Sequence, residues 1–529
     1  MAGRLARSTA FFSIATGLSR VAGLVREIVA ASYFGVRGPM SAFTIAFQLP
    51  NTVRSLFADA AIQAAFVPVF TEKLEQRRVR DAFNLASNLL FVVGLVLALV
   101  TALFILLAPV ITPLFAPGFD GRPLDLTVSL SRLLFPILVL LGISGVVVGI
   151  LNSYDRFSIF ALAPFFWNVA IIAVLAGLAP AFPERDQIYA YAIGILVGTV
   201  VQLAMLVYDL RNTPFGIRRA AAAIVLTRAR EAFADVDVRR VLILMLPVTI
   251  SLGLININLL VNSIFGSLIS PQAPAAIDKA FRIYMLPQGM FSVAVTTVLF
   301  PTLARFAARS EFDQLRATMA NGMRQILLLL IPAAAAILVL SEPMVQLVYE
   351  RGAFGPRSTG VVSEALFWFA FSLPFNGLFL LLTRTFFSLQ RPWVPSAVAA
   401  VNLAITAIFS ALFYEPFGVG GVVAATAIAT AVSVGLQIHI LRGQLGRLEL
   451  GRLLWTGVRV SIAAAALAGA SYGVWYVLDD LLGDGIGGQI VSLGIALAVG
   501  AAVYGAAIVA LRIPEAHQIL NLVRRRPAA

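Results

Sequence analysis

The sequence predicts an all-α polytopic membrane protein with about fourteen transmembrane helices, and three observations carry this prediction. Of the 529 residues, 60% are hydrophobic and only 12% charged, with a mean hydropathy of +0.92; an ordinary globular domain has about 25% charged residues. Length alone would suit roughly three or four globular domains, yet no Ser/Pro-rich linker or long polar block interrupts the apolar runs. Stretches of about 20 mostly apolar residues, the length a spanning helix needs, recur along the chain.

The first stretch, residues 10–32, follows Arg4 and Arg7 as the core of a signal peptide would, but Arg20, Arg26 and Glu27 interrupt it and no small-residue cleavage site follows. It reads as a retained first helix. Segments 41–69, 84–110, 128–152, 157–180 and 188–210 complete a six-helix N-terminal lobe over residues 1–210. Residues 211–238, with Pro214 and many arginines, read as a cytoplasmic surface linker. A C-terminal lobe, 239–442, holds segments 239–266, 275–302, 323–349, 362–389, 394–414 and 418–442. Two added helices, 453–478 and 486–511, occupy 453–512, and 513–529 form a cytoplasmic tail. The first, second and eighth segments are weaker on hydropathy because they carry charge.

The connecting segments sort by charge. One side of the membrane receives Lys73, Arg77, Arg78 and Arg80, the arginines between Arg211 and Arg240, Arg305, Arg309, Arg316 and Arg324, then Arg442, Arg447, Arg452 and Arg524 to Arg526. The other receives chiefly Arg37, Arg122, Arg185, Arg351 and Arg357, with Asp479, Asp480 and Asp484. By the positive-inside rule both termini are cytoplasmic, in keeping with an even helix count. The net charge of +13 is thereby explained by topology and by contact with membrane lipids. No basic stripe interleaved with exposed aromatics suggests nucleic acid.

An internal repeat supports two lobes. FADAAIQAAFVP from Phe57 matches FSVAVTTVLFP from Phe291, and each follows a Leu-Pro pair, Leu49-Pro50 and Leu286-Pro287. PLFAPGF ending at Phe119 faces LVYERGAF ending at Phe354, and SYDRF from Ser153 faces SLQRP from Ser388; both pairs are offset by 235 residues. The offset is close to six helices, an even number, so the repeats run parallel, with a substrate path expected between the lobes.

Several chemistries are excluded. Without cysteine there is no disulfide, thiolate nucleophile or Cys-based metal site. The two histidines, His439 and His517, suit structural or solvated roles, and neither a zinc site nor a Ser-His-Asp triad is expected. No Walker motif is present, so the chain is not expected to hydrolyse ATP. No cofactor is expected, and the chain is not expected to be an enzyme.

Topology does not explain Arg20, Arg54 and Arg282, which fall within the first, second and eighth segments. An arginine at the bilayer centre costs about 2.5–3.5 kcal/mol even on the lenient scale. Two readings compete: pairing with Glu27, Asp59 or backbone carbonyls to lock helices, or a cation-lined, water-filled cavity. The acids are too few to neutralise the cations, which favours the cavity. Arginine suits phosphate because its guanidinium stays charged and binds oxygens bidentately, so an anionic substrate follows. Pro50 and Pro287 remove backbone hydrogen bonds and permit kinks beside Arg54 and Arg282.

At these residues the sequence resembles the MurJ family of lipid II flippases, in the MOP superfamily that also holds multidrug antiporters. The likeness is carried by SRVAGLVREIVAASYFG (Ser19 to Gly35), SAFTIAFQLPNTVRSLFADAAIQAAFVPVFTE (Ser41 to Glu72) and APGFD (Ala116 to Asp120). RIYMLPQGMFSVAVTTVLFPTLAR (Arg282 to Arg305) and ERGAF (Glu350 to Phe354) extend it over nearly the whole chain. The resemblance implies fourteen helices around a V-shaped cavity, with the last two forming a groove for a lipid tail. It implies that Arg20, Arg26, Arg54 and Arg282 are the family's essential arginines, and that Glu27 and Asp59 match its acids. The chain departs from the family pattern at Ser41, Ser55, Asn262 and Arg391. Asn262 stands where some members carry a helix-7 carboxylate of a sodium site whose other counterparts here, Asn402 and Thr426, are neutral; hard cations prefer carboxylate oxygens, so no metal site is expected.

The expected function is to carry lipid II, an undecaprenyl-diphosphate disaccharide-pentapeptide, from the inner to the outer leaflet of a bacterial cytoplasmic membrane. Cell-wall synthesis and division proteins are the expected partners. Alternatives are a flippase for another polyprenyl-diphosphate-linked glycan, a cation-coupled drug exporter of the same superfamily, which should show cavity carboxylates, and a non-transporting cell-wall scaffold.

Overall fold

The computed structural model describes residues 2–513 apart from 58, 157, 228, 447 and 484, and describes only the backbone of residues 2–14, 55–57, 59–61, 63–64, 224–226 and 246–256. The described residues are helical with no strand, the all-α class expected. They divide into two compact units, Met1–Gln272 and Ala273–Ala529.

The first unit comprises α1 (Ala2–Phe34), α2 (Gly38–Phe57), α3 (Asp59–Glu75), α4 (Val79–Phe115), α5 (Arg122–Leu134), α6 (Ile137–Ser153), α7 (Ser158–Leu178) and α8 (Ile188–Asp209), then the short α9 (Gly216–Leu226) and α10 (Ala229–Ala234), and α11 (Val236–Ile269). α1 packs on α7 and α7 on α8, α2 lies against α5, and α3 and α4 against α6. The core joins Phe66 and Phe70 of α3, Leu89 of α4 and Val147 and Ile150 of α6 to Ala220 and Ala223 of α9. At Gly149 an added Cβ would stand 2.7 Å from the Phe66 ring, so absence of a side chain lets α6 approach α3, as small residues do where membrane helices pack closely.

Residues 211–238, expected as a surface linker, fold mostly as α9 and α10, both docked on α4. Asp235 then starts α11, its side chain accepting from the backbone N–H of Asp237 at 2.8 Å and of Val238 at 3.4 Å, the usual work of an N-cap carboxylate. α11 packs on α2, α3 and α4. The division by packing thus falls after Gln272, whereas the lobes 1–210 and 239–442 divide the chain by internal resemblance.

The second unit holds α12 (Ala273–Pro287), a π turn (Gln288–Ser292), α13 (Val293–Ala308), α14 (Phe312–Tyr349), α15 (Pro356–Ser388), α16 (Trp393–Leu445), α17 (Leu450–Leu482) and α18 (Ile486–Ala510). α15 packs between α14 and α16, α12 and α13 lie on α15, and α17 joins α14 to α18. α16 breaks at Gly418, whose φ of +55° only glycine adopts freely. Ten stretches among the described residues are long and apolar enough to cross a membrane. With α16 counted twice about Gly418, and with α1, the α2–α3 pair and α11 added, the crossings agree with the expected fourteen.

Candidate functional site

α1 carries three of the predicted charges within two turns. Arg20 is exposed, among the exposed Leu18 and Val21, and has no ion pair among the described residues. Arg26 is buried instead: its Nη2 meets Glu27 Oε1 at 2.5 Å with both side chains under a tenth exposed. Its guanidinium lies 4.7 Å from the Trp167 ring of α7, a cation–π contact that strengthens with desolvation. Its Nε finds no partner among the described residues. Arg26 and Glu27 therefore couple to one another and to α7, while Arg20 presents its charge outward.

On α2, Arg54 is half-buried, and its Nε donates to Asn51 Oδ1 at 3.0 Å. One turn earlier Pro50 is buried in a helix that runs through it. Gln48 accepts from Ser263 of α11 at 2.6 Å, which ties α2 to α11 near Pro50. The side chain of Asp59 lies outside the described residues.

In the second unit, Arg282 on α12 is half-buried and its Nε bonds Asp278 Oδ2 at 2.9 Å. Nη2 reaches the other carboxylate oxygen at 3.5 Å, giving a fork-on-carboxylate arrangement like the one a phosphate would take. Asp278 was missed by sequence reasoning, although an acid four residues before an arginine on one helix was a signal for it. Pro287 ends α12 and the π turn follows at once; a proline withdraws an N–H from the helical ladder, and such a turn re-pairs the freed groups. Lys279, also unremarked in the sequence, is fully buried with its Nζ 5.5 Å from the Tyr349 ring.

The neutral residues considered for sodium are buried or half-buried. Asn262 is 2% exposed on α11. On α16, Asn402 Nδ2 donates to Ser433 Oγ at 3.0 Å, and the carbonyl of Thr426 accepts from Thr430 at 2.7 Å. Among the described residues no group of three or more His, Cys, Asp or Glu side chains is placed to hold a metal ion. His439 is exposed, and His517 lies outside the described residues.

The second unit also holds an apolar cavity of about 690 Å³ lined by Leu327, Leu378, Val434, Leu453, Val458 and Ile462, among others, of α14, α15, α16 and α17.

The family model described as "Lipid II flippase MurJ" matches residues 30–514. A probable lipid II flippase MurJ of Rhizobium meliloti is 33% identical over 462 residues, covering 86% of this chain and 84% of that one. One from Vibrio cholerae is 28% identical and covers 96% and 97%. Among solved structures, lipid II flippase MurJ in an inward closed conformation matches with a TM-score of 0.76 at 23% identity, over 94% of this chain and 99% of that one. An inward-facing multidrug resistance MATE transporter of the MOP superfamily matches at 0.64 and 15% identity, over 86% and 94%.

Proposed function

Because the chain belongs to the MurJ family of lipid II flippases, we propose that it carries lipid II, an undecaprenyl-diphosphate-linked disaccharide-pentapeptide, from the inner to the outer leaflet of the cytoplasmic membrane. Both termini face the cytoplasm, and the chain works beside the proteins of cell-wall synthesis and division. One observation carries the headgroup chemistry: Arg20, Arg54 and Arg282 sit on helices of a membrane domain where cations are costly and are exposed or half-buried.

The guanidiniums of these three residues bind the diphosphate oxygens through charge-assisted, bidentate hydrogen bonds. Arg282 meets the substrate by exchanging the Asp278 carboxylate for a phosphate, so its charge is neutralised before and after loading. Arg26, fixed by Glu27 and Trp167, holds α1 in place and so positions the diphosphate at Arg20. The prenyl tail stays in the apolar environment of α17 and α18, and the apolar cavity beside α17 suits such a chain. Moving the anion outward is downhill in the membrane potential by about 2.3 kcal/mol per charge per 100 mV; no ion site is required.

The test is rescue of a strain depleted of its own lipid II flippase, with precursor build-up in the inner leaflet as readout and membrane levels of each variant measured. The native chain rescues. Arg20→Ala, Arg54→Ala and Arg282→Ala each lose a contact worth about 1.5–3 kcal/mol and rescue poorly. Full rescue by all three at normal levels removes these arginines from the binding role, and failure of the native chain itself removes lipid II as the substrate.

A further inference from the structure

A pocket of about 330 Å³ opens where α9 lies on the first turns of α4. Its polar lining is Arg80, Asn84 and Ser87 from α4, with Arg219 and Thr227 from α9 and the residue that ends it. Two guanidiniums, one amide and two hydroxyls are therefore gathered, with no carboxylate among the described lining residues.

The pocket is built on the core of its unit. Phe83 and Ala223, which form its base, are 8% and 3% exposed. Arg219 is held in place, its guanidinium 4.6 Å from the Phe83 ring and its Nη1 donating to the Pro214 carbonyl at 3.4 Å. Neither Arg80 nor Arg219 has an ion pair among the described residues. Of the acids near in sequence, Asp81 is engaged with Arg78 at 2.8 Å, Asp209 with Arg156 at 3.3 Å, and Asp235 with Asn88 at 2.7 Å and the start of α11. The Arg219 charge falls instead on Tyr154, whose hydroxyl burial pushes to a higher pKa and Arg219 draws back; that hydroxyl has no hydrogen-bond partner among the described residues.

Depth along α4 indicates what meets these cations. The run Leu89–Val110 carries no charge, and its length as helix is about 33 Å at 1.5 Å per residue, against a hydrocarbon core of about 30 Å. Leu99, Leu103, Leu106 and Val110 are exposed along it, as lipid-facing residues are. Ser87 stands just outside the run, so the pocket lies at headgroup level, at the end of α4 that the arginine asymmetry assigns to the cytoplasm.

We propose that this pocket binds a phosphate group presented by a phospholipid of the inner leaflet, with Arg80 and Arg219 on its oxygens and Asn84, Ser87 and Thr227 donating to the remainder. The site uses none of the arginines assigned to substrate and stands whether or not lipid II is carried.

The experiment is native mass spectrometry of the full chain in detergent, titrated with phosphatidylglycerol. The native chain retains one tightly bound lipid, and Arg80→Gln with Arg219→Gln together weaken its retention about tenfold, the low end for losing charge-assisted hydrogen bonds at a solvent-accessible site. Arg219→Lys is intermediate because it keeps the charge and loses the fork. Arg305→Gln, on an exposed arginine of the second unit, leaves retention unchanged. Added inorganic phosphate separates the sources: no displacement of the lipid assigns the leaflet phosphate, while displacement assigns a free phosphate ligand to the same site. Native-like retention in the double variant overturns the site. Should that variant melt early, Arg80→Gln alone decides, and unaltered retention there is the overturning result.

Discussion

Asp278 sets the terms on which Arg282 meets an anion. The pair is close, at 2.9 Å, but Arg282 keeps 35% of its side chain exposed, so solvent screens it and the pair is worth up to about 1 kcal/mol. On the proposed role of Arg282, Asp278→Asn removes the competitor that a diphosphate would displace. The expected outcome is normal abundance and tighter lipid II binding by up to about fivefold, measured by titration of the purified chain. Weaker binding at normal abundance means that Asp278 orients the guanidinium instead of competing for it. The sequence held a signal for this pair that went unread, since four residues on one helix bring side chains together. The seat of Arg26 had none: Trp167 is on another helix and no local periodicity points to it.

Among the elements, those with a plain hydropathic signature were the readable ones. α4 announces itself through an uninterrupted apolar run, whereas α9 and α10 are too short for a spanning pattern and take their order from docking on α4. Close approach is likewise invisible in a string of letters, since a glycine that packs and a glycine that merely occurs look alike. Gly149 of α6 meets the Phe66 ring, while Gly177 of α7 has nothing within 4 Å of an added Cβ. Gly149→Leu should therefore cost about 1–3 kcal/mol by overpacking, seen as a lowered apparent Tm of the purified chain. Gly177→Ala should leave the Tm unchanged or raise it, because alanine favours helix by about 0.5–1 kcal/mol. Equal Tm values for both would mean that α6 and α3 have room to part.

At the scale of the whole chain, arginine placement is the strongest statement the sequence makes, because it reflects insertion and not packing. The unit boundary after Gln272 was less legible, because repeats record resemblance while packing assigns α11 by its neighbours. The cysteine-free background allows a direct check of orientation. Arg218→Cys, exposed on α9, should be shielded from an impermeant thiol reagent in intact cells, and Asp480→Cys, exposed near the end of α17, should react. The reverse labelling pattern inverts the assigned orientation.

The π turn at Gln288–Ser292 has a consequence for how this chain tolerates insertions and deletions. Such a turn holds an extra residue within a helix, and each α-helical residue advances the helix by about 100°. The stripe of α12 on which Arg282 lies is thus out of phase with α13, and a helical wheel drawn straight through both misassigns the faces of α13. Loss of a single codon within the turn would regularise the local hydrogen bonding. Because the turn is where the surplus residue is absorbed, α13 would keep its faces, whereas a codon lost from the regular part of α13 would turn every side chain beyond it by about 100°.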